Sequence, residues 1–144
     1  MIFGRKKRLI VRLLVVEDEP LVAFDTEHFL TEADFEIVGT VDRVADAVAL
    51  IAGGTAIDLV LADIDLFDGT GIDVARAAMV RQIPVLFVTG HCPEEAEMLA
   101  AGWLAKPYAQ RDLLASIQVL EAQLGGKAPK RLPGGFKLFA PGLG

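Results

Sequence analysis

Ile57-Asp58-Leu59-Val60-Leu61-Ala62-Asp63-Ile64-Asp65-Leu66-Phe67-Asp68-Gly69 is the stretch on which the fold turns. An apolar run ends abruptly in the carboxylate of Asp63, and a turn rich in Asp and Gly follows. A short continuous apolar segment bounded by turn residues fits a strand buried on both faces, as in the middle of a parallel sheet. Asp63 then stands at the carboxyl end of that strand, the edge where ligand sites form in open α/β sheets. Asp is also a common turn residue, so the case for a site rests on what the rest of the chain brings to that edge.

Working outward, Leu13-Leu14-Val15-Val16 is another buried-strand candidate, closed by Glu17-Asp18-Glu19. Pro20 suits the first position of a helix over 21–33, with Leu21, Phe24 and His28 on one face and Val22, Phe29 and Ala33 on another. Glu36 to Val41 reads as a second strand. Val44, Ala47, Val48 and Ile51 then recur at helical spacing until Gly53-Gly54 stops them. Residues 70–81 read as helix with Ile72, Ala75 and Met79 inward, and Pro84 to Val88 as a fourth strand ending at Thr89-Gly90. Pro93 to Ala101 is a short helix, Trp103-Leu104-Ala105 a fifth strand ending at Lys106-Pro107. The last helix, 109–124, carries Leu113, Ile117, Leu120 and Leu124 on one stripe. Strands alternating with helices in this way predict a doubly wound five-stranded parallel sheet, an α/β fold with helices on both faces.

Composition narrows the function. The 144 residues suit one domain with a sizeable core, and 53% hydrophobic content argues against disorder. A single cysteine, Cys92, allows no internal disulfide and fits a reducing, cytoplasmic setting; with only His28 and His91 beside it, a zinc cluster is not indicated. Net charge is −6 but segregated: all 20 acidic residues lie within 13–126, against five basic ones there, while nine basic residues occupy the two ends. Such a body repels nucleic acid and tolerates a bound cation. The start is basic, but Arg12 and Glu17-Asp18-Glu19 interrupt its apolar run, which is too short for a membrane span, so neither a signal peptide nor a membrane partner is expected. Residues 1–11 read as a basic arm, 12–124 as the folded domain, and 125–144 as a Gly/Pro/Lys-rich flexible tail.

In a parallel sheet all carboxyl ends lie along one edge. Glu17 and Asp18, Asp63, Thr89 and Lys106 therefore converge from four strands. Crowded carboxylates raise each other's pKa unless a cation relieves them. A hard divalent ion with oxygen ligands, Mg²⁺, suits the set. A carboxylate can act as the nucleophile toward phosphorus, with Lys106 and the Thr89 hydroxyl neutralising charge on the transferring oxygens.

At this point the chain resembles the receiver domain of two-component response regulators, from Leu13 to about Leu124. The motifs are Leu14-Val15-Val16-Glu17-Asp18-Glu19, Asp58 to Leu66 with Asp68-Gly69-Thr70-Gly71, Phe87-Val88-Thr89-Gly90 and Lys106-Pro107-Tyr108. The resemblance implies a flavodoxin-like sheet of strand order 2-1-3-4-5, with Asp63 as phosphoacceptor. It implies Mg²⁺ held by Glu17, Asp18, Asp63 and the backbone carbonyl of Asp65, and Thr89 and Lys106 at the phosphoryl group. The Lys106-Pro107 bond is often cis in such domains.

The resemblance further implies a signalling switch rather than an enzyme. A histidine kinase or histidine phosphotransfer protein would be the donor and a downstream protein the target. The chain would be a monomer or a phosphorylation-dependent dimer. With no DNA-binding domain in this sequence, output is expected by protein contact or by passing the phosphoryl group on. The Phe87-Val88-Thr89-Gly90-His91 string is loosely similar to a stand-alone receiver group of alphaproteobacteria. Trp103 stands where the family commonly has a Tyr or Phe that swings inward on activation, which makes Trp103 a switch candidate beside Thr89. Phe67 replaces a frequent proline, and only sixteen residues separate Thr89 from Lys106, short for a full fourth helix. Two other readings remain open. One is a receiver-fold adaptor independent of phosphorylation. The other is a phosphatase of haloacid-dehalogenase type, whose motif Asp63-Ile64-Asp65 resembles.

Overall fold

The computed structural model describes residues 8–128 and 131–139. Its elements are β1 (Arg12–Val16), α1 (Pro20–Glu32), β2 (Glu36–Val41), α2 (Val44–Ala52), β3 (Leu59–Ala62), β4 (Asp65–Leu66), β5 (Gly69–Thr70), α3 (Gly71–Val80), β6 (Val85–Thr89), a 3-10 helix (Glu94–Met98), β7 (Gly102–Ala105), α4 (Gln110–Leu124) and β8 (Phe136–Leu138). The main sheet runs β2-β1-β3-β6-β7-β8. Its first five strands are parallel, in the doubly wound order expected, and β8 joins antiparallel to β7.

The apolar runs are continuous because each strand buries both faces. Leu13 and Val15 of β1 pack into one cluster with Leu30 of α1 and Leu113, Ile117 and Leu120 of α4. Leu14 and Val16 point the other way, into a cluster with Ala47 and Ile51 of α2 and Ile72, Val74, Ala75 and Ala78 of α3. The sheet is thus sandwiched, and the carboxyl ends of β1, β3, β6 and β7 share one edge.

Several expectations need correction. Of the two faces expected for α1, the one with Val22, Phe29 and Ala33 is half-buried beside the buried Ala23, Thr26 and Leu30, while Leu21 and Phe24 are exposed, Phe24 stacked on His28. Val74 and Ala78, not Met79, complete the inward face of α3, and Leu124 at the end of α4 is exposed. The fourth helix contracts to the 3-10 turn. The turn after Asp63 closes as a two-stranded ladder of β4 and β5, which Asp68 ties to α2 by accepting the Val44 and Ala45 N–H groups at 2.6 and 3.0 Å. Those bonds hold the exposed Asp68 carboxyl below the usual range and satisfy donors at a helix N-terminus.

The two ends differ most from the sequence reading. Of the basic arm, residues 1–7 lie outside the described part, but 8–11 are docked. Ile10 is fully buried, the Leu9 and Ile10 N–H groups donate to Glu121 at 2.6 and 2.9 Å, and the Arg8 guanidinium lies 4.1 Å over the Phe35 ring. Of the tail, 129–130 and 140–144 lie outside the described part. Residues 136–138, expected to be flexible, form β8. Phe136 enters the α1–α4 cluster and Phe139 the α2–α3 cluster, so this short segment grips both layers.

Candidate functional site

Each acidic strand end follows from local sequence. β1 stops at Glu17, whose N–H donates to the Val41 carbonyl at 2.9 Å, and Pro20 then opens α1. β3 stops at Asp63, whose N–H donates to the Val16 carbonyl at 3.0 Å. This cross-link sets the two acidic ends side by side. Glu17, Asp18 and Asp63 each offer an oxygen within 4.8 Å of the others. Glu17 and Asp63 are buried, and Asp18 is half-buried.

Lys106 follows β7, and its peptide bond to Pro107 is cis. Its Nζ reaches Glu17 Oε1 at 2.7 Å, Asp63 Oδ2 at 2.9 Å and Glu19 Oε1 at 4.0 Å. The other Asp63 oxygen accepts the Ile64 N–H at 2.7 Å. Burial works against charge on Lys106, but its hydrogen bonds to Glu17 and Asp63 outweigh that and hold it above the ordinary lysine range. Burial pushes the Glu17 carboxyl up, more than Lys106 and the Glu19 N–H pull it down. Asp18 is also raised, by burial and then by the neighbouring Asp63 charge. The pocket therefore holds more negative charge than its one ammonium relieves.

Thr89 ends β6, buried to 2% exposure. Its carbonyl accepts two donors, the Lys106 N–H at 3.1 Å and the Trp103 indole N–H at 2.8 Å. Trp103 is half-buried, with its ring against the α2–α3 cluster. Asp65 lies in β4 with its side chain exposed. Glu17, Asp18, Asp63, Thr89 and Lys106 thus stand at strand ends along one edge, Glu17, Asp63 and Lys106 in direct contact, while Trp103 lies within β7 and Asp65 in the separate β4–β5 ladder. Sequence reasoning missed Asp68 as the tie of the β4–β5 turn, and Gly71, whose N–H donates to the Ile64 carbonyl at 2.7 Å. The Asp-Gly pair was visible, but its partner at Val44–Ala45 is remote in sequence. An opening of about 280 Å³, lined by Glu17, Asp18, Thr40 and Asp42, leads to the acidic group.

Comparison with known proteins agrees with this fold. The sequence pattern of the response regulator receiver domain matches residues 13–118. The phyllosphere-induced regulator PhyR of Methylorubrum extorquens is 29% identical over 119 residues, covering 76% of this chain and 43% of its own. The transcriptional regulatory protein PdtaR of Mycobacterium tuberculosis is 31% identical over 114 residues, 75% of this chain and 55% of its own. The chain thus spans about half the length of these curated relatives. A CheY-like receiver structure from Methanospirillum hungatei superposes with a TM-score of 0.72 at 24% identity, over 81% of this chain and 98% of its own, and so carries the fold.

Proposed function

The chain belongs to the response regulator receiver domain family, and on that premise we propose that it is a phosphorylation switch with Asp63 as the acceptor. The observation that carries this reading is the convergence of Glu17, Asp18 and Asp63 within 4.8 Å, with the Lys106 ammonium 2.9 Å from Asp63. An Asp63 carboxylate oxygen attacks the phosphorus of a phosphohistidine on a histidine kinase or phosphotransfer protein. The O–P bond forms as the P–N bond breaks, and the released imidazole takes a proton from solvent. Lys106 meets the charge on the transferring oxygens, and the Thr89 hydroxyl donates to one of them. The product is a conformational signal to a downstream protein, not a turnover reaction. We take the functional unit to run through β8 rather than to end at 124.

The donor set fits a hard divalent cation: three carboxylates, two of them raised in pKa by burial and mutual repulsion. Glu17, Asp18, Asp63 and the Asp65 carbonyl would hold Mg²⁺, which when bound supplies positive charge to the transferring phosphoryl oxygens. Intact mass after incubation with acetyl phosphate tests the reading. One phosphoryl group is expected with Mg²⁺ and none with a chelator, and incorporation indifferent to Mg²⁺ would sink the assignment.

A pH dependence follows from the same charges. A carboxyl whose folded pKa lies above its unfolded value favours folding in its protonated form. That contribution is full below the ordinary carboxylate value and is lost as pH rises through the raised one. At neutral pH Glu17 and Asp18 therefore weigh against the fold, and a bound cation offsets this. Added Mg²⁺ should raise Tm at pH 7.5, and the increment should shrink as the pH falls through the raised values. An increment unchanged down to pH 4 would place the ion elsewhere.

A further inference from the structure

β7 carries the candidate site on one edge and β8 on the other. On the site side, the Thr89 carbonyl holds both the Trp103 indole and the Lys106 N–H. On the far side Trp103 stands opposite Lys137 and Leu104 opposite Phe136. The Ala105 N–H donates to the Gly135 carbonyl and the Phe139 N–H to Ala101, both at 2.9 Å. A single strand, β7, therefore lies between the strand that ends at Thr89 and the three-residue edge strand β8.

The hold on β8 is concentrated in a few contacts. Two rings anchor it, Phe136 in one cluster and Phe139 in the other, the latter with Ala96, Ala100 and the flank of Trp103. Lys137 reaches Glu97 on the 3-10 helix only at 3.9 Å and in an exposed pair. Gly102 makes the approach possible, since a Cβ there would stand 2.9 Å from both the Lys137 carbonyl oxygen and the Phe136 ring. Three-residue strands contribute little alone, and Gly134-Gly135 before this one, with φ +77° at Gly135, lets the chain turn onto β7.

We propose that β8 is a releasable strap, docked on β7 while Asp63 is unphosphorylated and loosened when the phosphoryl group arrives, baring the β7 edge. This rests on the phosphoacceptor reading above. The phosphoryl draws the Thr89 hydroxyl toward Asp63 and displaces the Lys106 ammonium that now bonds Asp63 at 2.9 Å; the Thr89 carbonyl is bonded to Trp103 of β7 and to the Lys106 N–H that follows it. A packed strand shifts as a unit rather than bending. Trp103 packs against the same cluster that holds Phe139, so its displacement disturbs that cluster. Coupling of this kind is reciprocal: whatever weakens the strap strengthens binding at the site.

Hydrogen exchange on the full chain, with Mg²⁺ and with or without beryllofluoride as a phosphoryl mimic, tests the strap. The amides of residues 136–139 should exchange about fivefold faster or more with the mimic bound. Phe139→Ser and Gly102→Ala should bind beryllofluoride tighter by a similar factor. Should either fail to fold, Lys137→Glu, which sets like charges against Glu97 at the surface, takes its place. Mimic bound with unchanged exchange at 136–139 and unchanged affinity in the variants would reduce β8 to a structural element. Failure of the wild type to take either mimic or phosphoryl would overturn the site reading, and the strap with it.

Discussion

Asp63→Asn is expected to abolish phosphoryl incorporation, by more than about 10³-fold, while leaving the protein folded. Asn has the shape of Asp, and its amide oxygen can still accept the Ile64 N–H that Asp63 accepts at 2.7 Å. Lys106 loses its acceptor at position 63, where the Asn amide NH2 now stands, and turns to its 2.7 Å partner Glu17, so the ammonium is not left unpaired. One negative charge leaves a cluster whose members Glu17 and Asp18 are raised in pKa partly by Asp63. Thermal unfolding should therefore hold or rise slightly, while intact mass after acetyl phosphate and Mg²⁺ stays that of the bare chain. What the variant loses is the nucleophile, since an amide oxygen does not form a stable acyl phosphate. A phosphoryl group still found on the folded variant would mean that another carboxylate, Asp18 or Asp65, is the acceptor.

The site was legible in the sequence because a parallel sheet turns sequence order into place. Once Leu13–Val16, the apolar run that ends before Asp63, Pro84–Val88 and Trp103–Ala105 read as strands of one parallel sheet, the residues at their carboxyl ends had to meet along one edge. Glu17, Asp63, Thr89 and Lys106 do so. Periodicity left α1 undecided because the helix is apolar on several sides: Leu21 and Phe24 face out, while Leu30 and the Phe29–Ala33 side pack on the sheet. β8 was hidden for a different reason. Pro133, Gly134 and Gly135 signal a break, and only three residues follow before Phe139. The partner at Gly102–Leu104 is some thirty residues away, and no local signal reports it.

The short fourth helix and the pairing of β8 have one physical explanation. Sixteen residues between Thr89 and Lys106 leave room only for the 3-10 turn Glu94–Met98 before β7 begins. That turn buries Ala96 but brings no large side chain to the core corner, where Ala100 and Trp103 also lie. Phe139 reaches it from the C-terminal side instead, 5% exposed, and Phe136 covers the opposite corner beside Leu104. A segment after α4 thus completes layers that the residues before β7 do not fill. The edge of β7, open to other proteins in a sheet that ends there, is here paired by the chain itself.

Gly71→Ala should be the most damaging small substitution near the site, costing on the order of 3 kcal/mol and lowering Tm by about 10 °C. Gly71 opens α3 with a backbone conformation open to any residue, so the requirement is for space. A Cβ there would press into the Asp63 carbonyl oxygen and stand 3.1 Å from the Phe87 ring. Neither neighbour can give. The Asp63 backbone is bonded to Val16 across the sheet, and Phe87 is fully buried. Relief requires α3 to back away, which strains the Gly71 N–H bond to the Ile64 carbonyl and moves Asp63 relative to Lys106. Even below its lowered Tm the variant should take up phosphoryl about 10²-fold more slowly, since misplacement of a reacting group by about 1 Å costs that much. Gly90→Ala is the control: nothing lies within 4 Å of a Cβ there, and Tm should change little. Equal stability of the two variants would mean that the close approach of α3 to Asp63 is not what holds the acceptor in place.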